Sequence, residues 1–293
     1  MAAVRVDPQR LVPWVVRLMW IALPFTVGPT LAAALDGASR PVQLVASVGA
    51  WAGWATGVVA ALVPHPLSLT ALRVVAPAAV GAVVTSALTD DASPLALAWV
   101  AVATVWAFAP TFGLTCVNGP AYPNERRLLL RAPGALLIGP LALAWALAVA
   151  GLIAGPMLLA ARQWVAGGLA LVVGIPVAVL LMRSMHSLSR RWVVFVPAGI
   201  VLHDPITLAD PVLFRRQSVD VLHPAPADSD ALDLTQGSPG LALELLLLDK
   251  IDLTLVKPGT RRGTAGRTAR LLFTPTRPGA VLEQARERRI RTE

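Results

Sequence analysis

Long apolar runs dominate the first two thirds of the chain, and short alternating runs dominate the rest. A hydrocarbon core about 30 Å thick is crossed by roughly 20 apolar residues in helix. Six stretches meet that length, at about residues 11–35, 42–63, 69–88, 94–112, 134–158 and 164–182. The first opens around Trp14 and Trp20. The residues ahead of it lead into no short apolar core with a small-residue cleavage site, so a retained span is expected rather than a signal peptide.

The pattern changes after Met185. Residues 192–196 and 200–202 are strand-like and meet at Pro197-Ala198-Gly199, a turn signal. Residues 218–222, 232–234 and 241–248 read as further strands. Residues 251–255 alternate cleanly, with Ile251, Leu253 and Leu255 on one face, and residues 270–273 make a last strand. Thr276 is placed to cap a helix with Pro278 in its first turn, running through Val281, Leu282, Ala285 and Ile290. Residues 224–230 and 258–266 are expected loops. The expected fold is therefore a membrane α-helical bundle of six transmembrane helices over residues 1–185. A small all-β barrel closed by one α-helix follows over residues 186–293.

This order of short strands and one closing helix resembles the pleckstrin-homology-like (PH-like) domains of bacterial membrane proteins. Residues 190–204, Arg-Arg-Trp-Val-Val-Phe-Val-Pro-Ala-Gly-Ile-Val-Leu-His-Asp, match the first hairpin, and residues 273–290 match the closing segment. The resemblance covers roughly the last hundred residues. The whole chain is similar to multi-pass membrane proteins of actinobacterial type, which implies a bacterial plasma membrane.

Charge gives the orientation. Arg5, Arg10, Arg73, Arg126, Arg127, Arg131, Arg183, Arg190 and Arg191 collect on one side of the six stretches. The other side shows Asp36 with Arg40, then Asp90 and Asp91, then Arg162. The excess of basic residues on the inner side puts both termini in the cytoplasm. Trp14, Trp51, Trp99 and Trp164 lie toward the ends of their stretches, where indoles favour the interface.

Composition agrees with this reading. The 293 residues are 56 % hydrophobic and only 14 % charged, which excludes disorder and disfavours an ordinary soluble enzyme. The formal net charge of +8 raises the question of nucleic acid, but the basic run at residues 257–270 carries no interleaved aromatics, so nucleic acid is a disfavoured partner. With Cys116 alone, there is no intramolecular disulfide and no thiolate ligand set.

Candidate chemistry is sparse. The loop at residues 115–127 holds the only tyrosine, Tyr122, and the compact cluster Asn124, Glu125, Arg126 and Arg127. Either Arg126 and Arg127 hold an anionic headgroup, with Glu125 orienting them, or the arginines merely fix topology. The run at 257–270 carries Arg261, Arg262 and Arg267, which either attract anionic lipid or decorate a solvated hairpin. Arg17 and Arg73 enter apolar stretches, where a snorkelling stem accounts for them. His65, His186, His203 and His223 form no HxxxH or HExxH pair, and there is no GxSxG elbow or phosphate-loop motif. No catalytic, cofactor-binding or metal-ligating residue is expected.

These patterns favour a non-enzymatic membrane protein whose cytoplasmic domain docks a protein partner or anionic lipid within an envelope-associated complex. Two alternatives stay open: transport of a small molecule or lipid through the bundle, and an enzyme acting on lipid.

Overall fold

The structure is a computed structural model that describes residues 8–86, 93–256 and 263–293. Arg5, Asp90, Asp91, Arg261 and Arg262 lie outside the described residues. The chain divides into two compact units. One comprises Met1–Gly119 with Ala142–His186, and the other Pro120–Leu141 with Ser187–Glu293.

The first unit is helical. Its elements are α1 (Pro8–Ile21), α2 (Leu23–Thr26), α3 (Gly28–Ala33), α4 (Arg40–Leu62), α5 (Pro66–Ser86), α6 (Pro94–Phe108) and α7 (Pro110–Asn118). After α8 (Gly134–Leu137), a single turn in the other unit, come α9 (Pro140–Ala160) and α10 (Trp164–Leu188). Among the described residues, four helices, α4, α5, α9 and α10, are long and apolar enough to cross a membrane, and α6 with α7 makes a fifth if the bent pair is one span.

The first apolar stretch is not one helix. Proline has no N–H, so Pro24 cannot donate to the Trp20 carbonyl and Pro29 cannot donate to that of Phe25. The helix breaks there into α1, α2 and α3, and only Leu11–Ile21 remains as a short apolar helix. The Trp54 indole Nε1 donates to the Trp20 carbonyl at 2.8 Å, and that of Trp99 to the Met19 carbonyl at 3.1 Å. Side chains from α4 and α6 thus satisfy backbone groups at the break, as an apolar setting demands. Pro110 causes the second break in the same way, with a bend of 53° between α6 and α7.

Glycine permits close packing at two points. A Cβ at Gly57 would fall within the Trp20 ring, and one at Gly151 would meet the Gly174 carbonyl, so α9 and α10 touch through backbone. Trp20, Leu69, Leu72, Ala96, Phe112, Ala148 and Ala178 fill the interior. Much apolar surface nevertheless points outward, with Val105, Val165 and Val172 at least 70 % exposed. Water does not tolerate such a surface on a monomer of this size, whereas lipid does.

The second unit is built on strands. These are β1 (Arg126–Leu129), β2 (Trp192–Val196), β3 (Gly199–His203), β4 (Val212–Arg215), β5 (Val219–Pro224), β6 (Leu232–Asp233), β7 (Leu243–Leu255) and β8 (Thr264–Phe273), followed by the helix α11 (Pro278–Glu287). They form two four-stranded sheets in the orders β1-β2-β3-β4 and β5-β7-β8-β6, rather than the single closed barrel expected from the sequence. The sheets separate where a 3-10 turn, Arg216–Ser218, replaces pairing between β4 and β5.

Several strands differ from expectation: β4 is not among those expected, and β8 begins at Thr264, within the expected loop, rather than at residue 270. Residues 126–129, expected in a loop, pair with β2 as an edge strand, Arg126 opposite Phe195 and Leu129 opposite Trp192. The expected pair of strands at 241–248 and 251–255 is one strand, β7, whose register shifts between Leu246 and Ile251. A bulge there sets four residues, Leu247 to Lys250, against the single residue Ala269 of β8.

The core collects Val193, Phe195, Ile200, Leu202, Phe214, Leu222, Leu243, Leu245, Leu271 and Phe273. Helix α11 adds Val281 and Ala285, four residues apart on one face. Thr276 does not cap it: its hydroxyl donates instead to the Leu129 carbonyl at 3.1 Å. Among the described residues, three charged side chains are wholly buried: Arg191, Asp204 and Glu244. Arg191 meets Asp204 through paired contacts of 2.8 and 2.7 Å and also donates to the Arg131 carbonyl at 2.6 Å. Glu244 accepts from Arg270 at 2.7 Å and from Ser229 at 2.9 Å. That acceptor raises the pKa of the Arg270 guanidinium further.

Candidate anion-binding site

Among the described residues, the expected candidates fall into two places. Arg126 and Arg127 stand on β1. Glu125 accepts from Arg127 at 2.8 Å and from the Tyr122 backbone N–H at 3.2 Å, closing a turn that leaves the Tyr122 ring 79 % exposed. The Arg127 hydrogen bond holds the Glu125 carboxyl below the usual carboxylate range. Arg127 also lies over the Trp192 ring at 5.3 Å, and that ring stacks on His203. His203 Nδ1 is 2.6 Å from the Arg190 carbonyl, which can only accept, so this nitrogen carries the proton.

Arg267 is elsewhere, near the far end of the β7–β8 hairpin, 3.7 Å from Asp252 in an exposed pair. Leu130 bridges Pro275, and from that bridge β1 and β8 run away from each other. Arg126 and Arg127 are therefore not brought together with Arg267.

A different convergence occurs at the turn between β2 and β3. Pro197, Ala198 and Gly199 form its floor. Gly199 has φ of +152°, and a Cβ there would strike the Phe214 carbonyl, so only glycine lets β4 and the following 3-10 turn close on it. The Arg216 N–H then donates to the Ala198 carbonyl at 2.9 Å, which fixes Arg215 and Arg216 beside the turn. From the other side comes the end of α11. The Ile290 N–H bonds back to the Ala285 carbonyl at 2.9 Å, and Arg289 takes a left-handed conformation with φ of +57°. This is the helix stop in which glycine is usual.

Between these elements lie two adjoining open hollows of about 240 and 470 Å³. Arg216, Arg289 and Pro197 line both. Arg288 and Glu287 line the first, and Arg215 lines the second. Four arginines and one glutamate, among the described residues, thus line the two hollows. Among the described residues, Arg215, Arg216 and Arg289 make no side-chain hydrogen bond or ion pair, whereas Arg288 donates to the Asn124 carbonyl at 2.8 Å. That bond ties the expected Asn124 turn to this place. Arg126 is near it as well, since it pairs with Phe195, one residue before the lining residue Val196.

Arg215, Arg216 and Arg289 carry no motif. Their one sequence signal is the recurrence of Arg-Arg doublets at 126–127, 190–191, 215–216, 261–262 and 288–289. The structure spends Arg191 on Asp204 and Arg127 on Glu125, and brings the third and fifth doublets together. Comparison with protein-family models, with curated proteins and with solved structures gives no match.

Proposed function

We propose that this chain is a six-span plasma-membrane protein of bacterial type whose PH-like sheet unit lies in the cytoplasm and docks anionic lipid or a protein partner. The two units support this in different ways. The apolar outer surface of α4, α9 and α10 asks for a lipid solvent. The observation that carries docking is the group of arginines on the sheet unit with no acidic partner, a surface suited to anionic groups. In this reading, α1–α3 together form the first span despite the break, and α6–α7 form the fourth.

The test is purification of the full chain in mild detergent, with its bound lipids compared against the bulk membrane. Enrichment of anionic phospholipid supports docking. Bound lipid of bulk composition counts against it. A second reading, transport through the helical unit, draws on one observation: the interrupted segments α1–α2 and α6–α7 pack against each other. Interrupted spans mark binding sites in many transporters. Solute flux in proteoliposomes made from the full chain distinguishes the two.

A further inference from the structure

The geometry points to a phosphate-binding site in the double hollow at the β2–β3 turn, with Arg215, Arg216 and Arg289 as its ligands. This deepens the docking reading and rests on it for the lipid source of the phosphate. Three features select the ligand class. Arg215, Arg216, Arg288 and Arg289 line the hollow beside a smaller apolar share from Val196, Pro197, Ala198 and Ile290, so it suits a charged group. Guanidinium presents paired N–H donors that match two oxygens of a phosphate. Among the described lining residues Glu287 is the one acid against four arginines, so a monoanionic carboxylate leaves most of the charge uncompensated, whereas a phosphate monoester carries nearly two charges.

Arg289 adds a separate argument. A non-glycine residue in the left-handed region is disfavoured, because its Cβ comes too close to the following carbonyl oxygen. A helix stop that served only the fold would be relieved of that cost by glycine. The position is instead held by an arginine that lines both hollows. Arg288 is held by Asn124 and acts as a wall of the site.

The phosphate arrives either on a lipid headgroup or on a soluble phosphate compound. Both share one chemistry, and the test separates them. The full chain is placed in nanodiscs of phosphatidylcholine, and pyrophosphate is titrated by calorimetry. Wild type is expected to bind it, with slower hydrogen exchange at residues 215–218 and 287–290. The variant R215Q/R216Q and the variant R289G each lose at least tenfold in affinity, while R267Q, on the β7–β8 hairpin away from the hollow, loses less than threefold. Thermal unfolding checks that the variants fold, and R289G is expected to unfold no lower than wild type. Discs containing phosphatidic acid supply the second arm. Weaker pyrophosphate binding in them identifies the lipid headgroup as occupant. Unchanged binding identifies a soluble phosphate compound, and then the site stands while lipid docking fails. Absence of pyrophosphate binding, or equal binding by wild type and both arginine variants, overturns the site and leaves the lipid-enrichment test of the docking reading untouched.

Discussion

The indole of Trp54 donates to the carbonyl of Trp20 at 2.8 Å, where Pro24 has no N–H to offer. A broken helix in an apolar setting must satisfy its freed carbonyls from a neighbour, and α4 provides the donor. The substitution Trp54→Phe keeps a ring but removes that donor. The expected loss is about 1–3 kcal/mol, the cost of a buried acceptor left without a partner. Pro24→Ala restores a backbone N–H, so Trp54→Phe should cost measurably less in that background. Thermal unfolding of the four chains in one detergent completes the cycle. Equal losses in both backgrounds would mean the hydrogen bond is not what Trp54 contributes.

A sequence displays this break only in part. Pro24, Gly28 and Pro29 are visible within the first apolar stretch, but hydropathy summed over twenty residues passes across them. Where the chain supplies the donors, in Trp54 and Trp99, is a tertiary fact. The same holds for β1. Residues 126–129 are too short to announce a strand, and their partner β2 follows only after two long helices. The hairpin of β2 and β3 was legible because a local turn joins two alternating runs. The arginine hollow was not, since its arginines come from the end of β4 with the 3-10 turn after it and from a helix stop far apart in the chain.

The buried pair of Arg191 and Asp204 sets up a second test. Each side chain is about 1 % exposed, so removing either leaves an uncompensated charge in the core of the sheet unit. Asp204→Ala is expected to cost about 3–5 kcal/mol. The double substitution Arg191→Met with Asp204→Leu removes both charges and should unfold well above the single variant. Melting curves of the full chain report this, and a double variant no better than Asp204→Ala would contradict the pairing argument.

Gly199 is the position where a methyl group should do most harm. Its Cβ would strike the Phe214 carbonyl, and its φ of +152° disfavours any side chain. Gly199→Ala should cost about 1–3 kcal/mol through backbone strain alone. Hydrogen exchange should rise first at residues 199–203 and 212–216, where β3 and β4 pair. Unaltered protection there would show that the turn has room to move.

The pH dependence of Glu125 has a definite sign. Its carboxyl is held below the usual range, first by the Arg127 hydrogen bond, so the folded state favours the ionised form. An unfolded glutamate titrates near pH 4.3. The stabilisation is therefore fully present above that value and is lost as pH falls through the lower folded value. Glu125→Gln should leave melting at pH 7 lowered slightly and flatten its acid limb below about pH 4.3. Parallel acid limbs for the two proteins would show that another carboxylate governs them.

Topology is the widest prediction, because every assignment of the sheet unit to the cytoplasm depends on it. Arg126, Arg127, Arg131, Arg183, Arg190 and Arg191 flank the ends of α7, α9 and α10 that lead into the sheet unit. Basic flanks are retained on the cytoplasmic side during insertion. The sheet unit draws on residues 120–141 as well as 187–293, so the loop at Arg127 and the end at Glu293 must share one side of the membrane. Reporter fusions after Arg127 and after Glu293 should therefore both be active only in the cytoplasm, and a fusion after Thr89 only outside. If Arg127 and Glu293 report together from outside, the orientation is inverted while the unit's assembly survives. If they report from opposite sides, β1 cannot pair with β2 in the cell, and the sheet order β1-β2-β3-β4 fails with it.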